Sequence, residues 1–350
     1  MYGVNMEPEQ IEEALDDAAV IDHLRQANRR LGLQLTKAQI SKEEMMRAAR
    51  EAAHDAALMF TIPPTPKPVR DQRKKGEEVA IAVLSDWQLG KTTPTYNSDV
   101  CAQRMDLYGD KLIEITNIQR ADHPVKELHV DLLGDLPEAE QIFPGQAYRI
   151  DSSVFMQVLV NGPEILVAFL QKMLGVGEFE RVHVEGVYGN HGRVGRRGDY
   201  HPETNWDAIL YEHVRQLLRN EQRLTWGPNF TPGERKWYAI DKIGDQAFML
   251  FHGDQVRGGF AGMPWYGVAK KVQGWRNGAI PEAFNGAFMG HYHTPCRIFL
   301  NTITVWANGS TESSNTYANE ELAAAGQPCQ WLLFCHPQSG ISAEYLVHLD

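Results

Sequence analysis

The feature that most constrains this chain is a pattern after residue 77, where short apolar runs typical of strands alternate with stretches typical of helices. This alternation predicts an α/β domain. Towards the end of the chain the apolar runs crowd together with fewer helical stretches between them, which indicates a mixed sheet. The predicted strands are Val79–Leu84, Glu127–Leu133, Arg181–Val187, Ala247–Phe251, Ala287–Met289 and Ile303–Ala307, and the predicted helices span about 103–120, 153–174, 204–220 and 264–277.

Side chains able to bind metal ions directly follow five of these predicted strands. Because the ends of neighbouring strands converge on one edge of a sheet, we expect these side chains to meet there. Alone, a strand-terminal Asp or a Gly-Asn-His sequence is typical of an ordinary turn, but five such strand ends in succession favour a site. Imidazole and carboxylate ligands together suit Mn, Fe, Zn or Ni better than Ca. In chain order the residues are Asp86, Gln88, Asp135, Asn190, His191, His252, His291 and His293.

The order D-x-Q, G-D, G-N-H, H and G-H-Y-H, over about residues 79–310, resembles the calcineurin-like metallophosphoesterase superfamily. The usual pattern there is D-x-H, G-D, G-N-H-[DE], H and G-H-x-H. The resemblance implies a four-layer α/β/β/α sandwich with two divalent metal ions at the sheet edge, Mn being expected, with Fe, Zn, Ni or Mg as alternatives. It assigns Asp86, Gln88 and His293 to the first ion, Asn190, His252 and His291 to the second, Asp135 as the bridge, and Asn190 and His191 to the phosphate.

The chemistry implied by this resemblance is hydrolysis of a phosphoester. A hydroxide bridging two ions about 3.5–4 Å apart would attack phosphorus in line. Asn190 and His191 would stabilise charge on the phosphoryl oxygens, and His191 is a candidate proton donor to the leaving oxygen. We therefore expect a metal-dependent phosphoesterase.

The chain departs from the superfamily pattern at two positions. Gln88 stands where a histidine ligand is usual, and an amide oxygen is a weaker ligand than imidazole, so the first ion is expected to bind loosely or to be Mn. Gly192 replaces the acid that often orients the catalytic histidine. Another carboxylate would then have to hold His191, and Asp207 and Glu138 are the candidates.

The loop after His191 carries three arginines among glycines, Arg193, Arg196 and Arg197. Arginines in such a loop are suited to binding additional phosphates of a substrate. The alternative is that they pair with nearby acids such as Asp199 and Glu203.

The combination SDWQLGK, GD with FPGQ, and GNHGR with GRRG also resembles a phage-type branch of the superfamily, related to Mre11/SbcD exonucleases. This second resemblance implies a DNA nuclease, with DNA as the partner. Two alternatives stay open, namely a small-molecule or cyclic-nucleotide phosphodiesterase or phosphatase, and a catalytically weakened scaffold protein.

The net charge of −11 weighs against nonspecific binding to nucleic acid. Residues 1–60 look helical, with an interruption expected at Gly32, and would form an arm for oligomerisation or for docking onto another protein or onto the main domain. Residues 61–76, rich in Pro, Lys and Arg, are expected to be a linker before a phosphoesterase domain over 77–350. Four cysteines without a C-x-x-C pair, no secretory signal and no apolar run near 18 residues favour the cytoplasm, of a host cell if the gene is phage-encoded, and no membrane.

Overall fold

A computed structural model describes residues 22–23, 25–37, 44, 76–195, 197–199, 201, 203–231, 233–258, 262–313 and 326–350. The chain divides into two compact units, Met1–Gln72 and Arg73–Asp350. In the first unit, residues 25–37 are helical, and the helix continues through Gly32 where an interruption was expected. The rest of the predicted arm and nearly all of the predicted linker lie outside the described residues, so their roles stay predictions.

The second unit contains eleven strands and four longer helices among its described residues. Their bounds differ from the sequence prediction by about five residues at most where a prediction was made, except that α2 covers only the second part of the helix predicted over 153–174, after two short helical segments that span Val154–Met156 and Gln157–Asn161. In chain order they are β1 (Glu78–Leu84), α1 (Ser98–Arg120), β2 (Val125–Leu132), α2 (Gly162–Leu174), β3 (Arg181–Gly186), α3 (Trp206–Leu217), β4 (Leu224–Trp226), β5 (Tyr238–Ile243), β6 (Gln246–Phe251), α4 (Trp265–Gly274), β7 (Gly286–Met289), β8 (Cys296–Leu300), β9 (Ile303–Ala307), β10 (Cys329–His336) and β11 (Gly340–His348).

These strands form two sheets. The first has the order β11-β10-β1-β2-β3-β4, in which β1 to β4 run parallel, β10 pairs antiparallel with β1, and β11 pairs antiparallel with β10. The second has the order β5-β6-β7-β9-β8, with β6, β7 and β9 parallel. The central strand β1, EVAIAVL, is buried along its whole length, as expected for a parallel strand covered on both faces.

Three hydrophobic cores separate four layers. One core joins the first sheet to α1, α2 and α3, through residues such as Leu112, Leu170 and Leu210. A second lies between the two sheets, and a third packs α4 against the outer face of the second sheet. The predicted four-layer α/β/β/α sandwich is therefore confirmed.

The helical run Val154–Leu174 ends in α2 and is long and apolar enough, by length and composition, to cross a membrane. The described contacts give this run a place in the core, because Leu166, Leu170 and Met173 are buried against the first sheet and α1. The apolar face of this run thus serves the core of the domain.

Candidate metal centre

Three side chains meet at the carboxyl ends of β2, β6 and β7. Ligand atoms of Asp135, His252 and His291 all lie within 4.8 Å of one another. His252 Nε2 is 3.0 Å from Asp135 Oδ2 and 3.0 Å from Asn190 Oδ1, which brings the loop after β3 into the same cluster. A carboxylate, an amide oxygen and two imidazoles form a donor set that suits a transition-metal ion. These residues are the ones that the resemblance assigned to the second ion and to the bridge.

The backbone at the site is held in a conformation that residues other than glycine seldom adopt. Such residues cost about 1–3 kcal/mol each and persist where the surrounding structure over-determines them, often at functional sites. The site residues concerned, with their φ angles, are Asp86 (54°), Gln88 (46°), Asp135 (56°), His291 (74°) and His293 (52°).

Glycines of the motifs let the site loops approach each other closely. A Cβ on Gly134, which has φ of 88°, would lie 2.2 Å from the backbone nitrogen of Gly189. A Cβ on Gly290 would lie 2.5 Å from Asp86 Oδ2. The glycines before Asp135 and His291 therefore have a packing role beside the ligands.

Glu138 is the carboxylate in contact with His191. The His191 Nδ1 atom lies 3.0 Å from Glu138 Oε2 and 3.1 Å from the backbone oxygen of the same residue. The His191 backbone nitrogen donates to Asp135 Oδ1 at 2.7 Å. The ring is thus oriented without the acid that Gly192 replaces.

Asp207, the other candidate partner of His191, has a different position at the start of α3. Its carboxylate accepts hydrogen bonds from the backbone nitrogens of Asp135 at 3.1 Å, Leu136 at 3.0 Å and Gly189 at 2.8 Å. It therefore ties the loop after β2 to the loop after β3. Burial and Asp135 raise the pKa of Asp207 to about 7, in spite of these three amides.

The charged groups of the cluster shift one another's pKa values. Burial alone would raise the pKa of Asp135, but His252 and His191 hold it well below its usual range. Burial lowers the pKa of His252, yet the Asp135 carboxylate outweighs burial and raises it to about 10. Burial and His252 lower the pKa of His291 to about 4. Asp135 and His291 thus stand in the forms that bind a cation, and His252 would release a proton on binding one.

The first position, formed by the residues Asp86, Gln88 and His293 that the resemblance assigned to the first ion, is arranged differently. His293 Nε2 lies 3.4 Å from Asp86 Oδ1 and 3.2 Å from Gln88 Nε2. The amide oxygen of Gln88, the atom that would bind an ion, accepts a hydrogen bond from Lys91 Nζ at 2.7 Å. Lys91 also pairs with Glu312, whose other oxygen lies 2.7 Å from His293 Nδ1. The residues present here do not fit a metal ion as they stand.

The arginine loop lies beside the metal centre. Arg193 pairs with Asp254, and Arg197 Nη1 is 3.7 Å from the same carboxylate. Both arginines thus contact Asp254, two residues after His252. Arg196 lies outside the described residues.

A cavity of about 500 Å³ adjoins this loop. Its walls include Arg193 and Arg197 from the loop, and Arg235, Lys236 and Trp237 from the segment that leads into β5. The Trp237 side chain is 41% exposed. The sequence does not mark this segment as a site, since one Trp next to two bases is too common a pattern to indicate one.

No protein-family model matches the chain, and no curated protein sequence matches it significantly. Solved structures with a similar fold include a hypothetical protein from Pyrococcus horikoshii OT3, with a TM-score of 0.40 and 11% identity over 78% of this chain and 89% of that one. They also include a novel archaeal phosphodiesterase, with a TM-score of 0.34 and 12% identity over 77% and 99% of the two chains. Vps29 from Entamoeba histolytica, complexed with Zn²⁺, has the same TM-score, identity and coverage. Likenesses this distant assign no activity, so the side chains of this chain must carry the assignment.

Proposed function

We propose that this protein is a metal-dependent phosphodiester hydrolase. The observation that carries the proposal is the convergence of Asp135, His252 and His291, with Asn190 3.0 Å from His252 and the backbone nitrogen of His191 2.7 Å from Asp135. These residues form a metal-ligand cluster with His191 next to it. Hydrolysis of a phosphoester needs a bound metal ion and a side chain that can donate a proton beside it.

The residues of the site fall into two groups, those that would hold a metal ion and those that would act on the phosphoryl group. A divalent ion, when bound, polarises the phosphoryl group and lowers the pKa of water. Asp135, Asn190, His252 and His291 would hold that ion. His191 is oriented by Glu138 through Nδ1, which leaves Nε2 free to stabilise the phosphoryl oxygens and to give a proton to the leaving oxygen.

We further propose DNA as the substrate and Mn²⁺ as the ion. The cavity beside the arginine loop supports DNA, because its lining combines four bases, against two acids, with the exposed ring of Trp237. Bases that follow a phosphate backbone and an aromatic ring on which a nucleobase stacks are the two parts of a single-strand binding groove. Because Arg193 and Arg197 both contact Asp254, we expect this carboxylate to neutralise part of their positive charge.

The test is hydrolysis of a bis-aryl phosphodiester with and without Mn²⁺, in the wild type, Asp135→Asn and Asp245→Asn. Asp135→Asn should lose at least about a hundredfold in kcat, since it removes the charge of a central ligand. Asp245→Asn is the matched control, because Asp245 is exposed in the turn between β5 and β6. Wild-type turnover by Asp135→Asn at saturating Mn²⁺ would refute the proposal.

The substrate is tested in the same buffer with single-stranded DNA, double-stranded DNA and cyclic nucleotides. We expect DNA, single-stranded above all, to be cleaved with the highest kcat/KM and with strong salt dependence. Preference for a cyclic nucleotide would instead favour a small-molecule phosphodiesterase, the reading that the net charge of −11 supports. No turnover of any diester would favour a scaffold role.

A further inference from the structure

The network around Gln88 bears on how many ions the centre holds. Lys91 Nζ donates to Gln88 Oε1 at 2.7 Å and pairs with Glu312. The side chains of Lys91 and Glu312 are only 16% and 4% exposed. Both are therefore fixed by the fold and are not surface groups that happen to meet.

Lys91 determines which way the Gln88 amide faces. An ammonium group can only donate hydrogen bonds, so the amide oxygen must face it. The amide nitrogen then faces His293 Nε2, at 3.2 Å. The opposite orientation would set the amide N–H group against the ammonium of Lys91. The group that Gln88 presents to the first position is thus a hydrogen-bond donor, which repels a cation.

His293 is engaged at both ring nitrogens. Nδ1 lies 2.7 Å from Glu312 Oε1. In the neutral ring with a proton on Nδ1, the Nε2 lone pair accepts from the Gln88 amide; in the charged ring, Nε2 carries a proton directed at Asp86 Oδ1, 3.4 Å away. In either state, His293 Nε2 lies 3.2 Å from an amide donor, whereas the neighbours of His252 Nε2 at 3.0 Å are oxygen atoms of Asp135 and Asn190, which can themselves bind an ion.

We infer that the centre holds one divalent ion, at Asp135, Asn190, His252 and His291, and that Lys91, Gln88, His293 and Glu312 close the first position with hydrogen bonds and with the fixed charge of Lys91. The inference concerns the same site as the proposed function. It is tested by the number of bound ions, which is measured independently of activity. The inference can therefore be wrong while the phosphodiesterase activity is confirmed, or right while that activity is absent.

The experiment is equilibrium dialysis of the purified full chain against Mn²⁺, with bound metal measured by mass spectrometry and by the electron paramagnetic resonance spectrum. The wild type should bind one Mn²⁺ per chain and show no spin-coupled pair. His252→Ala should reduce the affinity for that ion at least tenfold, because His252 is one of its four proposed ligands. His293→Ala should leave the affinity within about twofold, because His293 is not among them. Circular dichroism melts check that each variant is folded.

Gln88→His provides the converse test, because it introduces the imidazole that the D-x-H motif of the metallophosphoesterase pattern has at this position. Gln88→His, alone or with Lys91→Ala, should bind a second Mn²⁺ and gain a spin-coupled signal. Two Mn²⁺ ions in the wild type with a coupled spectrum would overturn the inference, as would loss of the single ion in His293→Ala with retention in His252→Ala. If the Gln88 variants fail to fold, the wild-type count and the two histidine variants still decide the matter.

Discussion

At the scale of single residues, the orientation of the His191 ring depends on one buried carboxylate, that of Glu138. Glu138 is 1% exposed, and its Oε1 accepts from Gln146 Nε2 at 2.9 Å while Oε2 faces the His191 ring. A residue that holds another in this way acts on the reaction through position, and its loss is expected to affect kcat more than KM.

Glu138→Gln should lower kcat about tenfold or more with little change in KM, because the neutral amide removes the negative charge that faces the His191 ring. Steady-state kinetics on the bis-aryl diester measure this. Glu140→Gln, two residues along the same loop, serves as the control and should retain wild-type kcat. Equal kcat for Glu138→Gln and the wild type would show that the backbone oxygen alone orients the ring.

The metal-ligand candidates could be read from the sequence because each stands directly after a strand, where the order of strands along the sheet edge determines the neighbours. Lys91 and Glu312 could not be read in this way. Glu312 follows β9 in a polar loop, and nothing local distinguishes it from a solvated acid. Its meeting with Lys91 depends on two loops from different sheets, which is information that only the tertiary structure contains.

Helix α3 contributes to the site through its first turn. Asn205 caps this helix by accepting from the Asp207 backbone nitrogen at 2.8 Å, and Asp207 then accepts from three backbone amides of the two site loops. Asp207 is buried, and it is the acceptor that these three backbone amides have in common. The helix start thus works as a clamp for the loops after β2 and β3.

Asp207→Ala should destabilise the fold by about 3 kcal/mol or more, since an unsatisfied buried amide costs about 1–3 kcal/mol and three would lose their acceptor. Urea denaturation measures the change. Gln216→Ala on the same helix is the control and should cost less than about 1 kcal/mol, because Gln216 is exposed and its amide donates to Glu212 at the surface. Equal midpoints for the two variants would contradict a clamping role.

The elements themselves were largely predictable, and their exact ends were not. Residues 103–120 were predicted as a helix from their composition, whereas α1 begins at Ser98 because Asn97 accepts a hydrogen bond from the Val100 backbone nitrogen at 2.9 Å and caps the helix. Likewise β4 has three residues and too little pattern to be recognised. Short elements of this kind are set by packing against longer neighbours.

The whole molecule carries a second set of buried charges, between the two sheets. His129 Nδ1 lies 2.7 Å from Asp241 Oδ1, and the two carboxyl oxygens of Asp131 are buried without a hydrogen-bond partner. Burial raises the pKa of Glu185 to about 8, and Asp241 adds to this. Burial lowers the pKa of His129, but Asp241 outweighs burial and raises it to about 10.

These shifts predict that the fold is more stable at pH 6 than at pH 9. A carboxyl group with a raised pKa costs stability as the pH rises from its unfolded pKa, near 4.5, to about 8. His129 stabilises fully below its unfolded pKa, near 6.5, and loses this contribution as the pH rises to about 10. Thermal melts should show a lower Tm at pH 9 than at pH 6.

Glu185→Gln isolates one part of this dependence. It should reduce the fall in Tm between pH 5 and pH 8, because the amide does not titrate. Glu180→Gln, whose side chain is 63% exposed, should keep the wild-type slope. Parallel curves for Glu185→Gln and the wild type would remove Glu185 as a source of the pH dependence.

The position of β1 in the first sheet has a consequence for the order of folding during synthesis. One edge of β1 pairs with β2, but the other pairs with β10, which places Val79 opposite Cys335, about 250 residues later in the chain. At ribosomal rates of about 5–20 residues per second, this partner emerges on the order of 10–50 s after β1. Throughout that interval, an apolar strand edge stays open to pairing with other nascent chains. The last strands made thus complete the sheet around the first, and we expect β1 to reach its native pairing on both edges only after β10 has been synthesised.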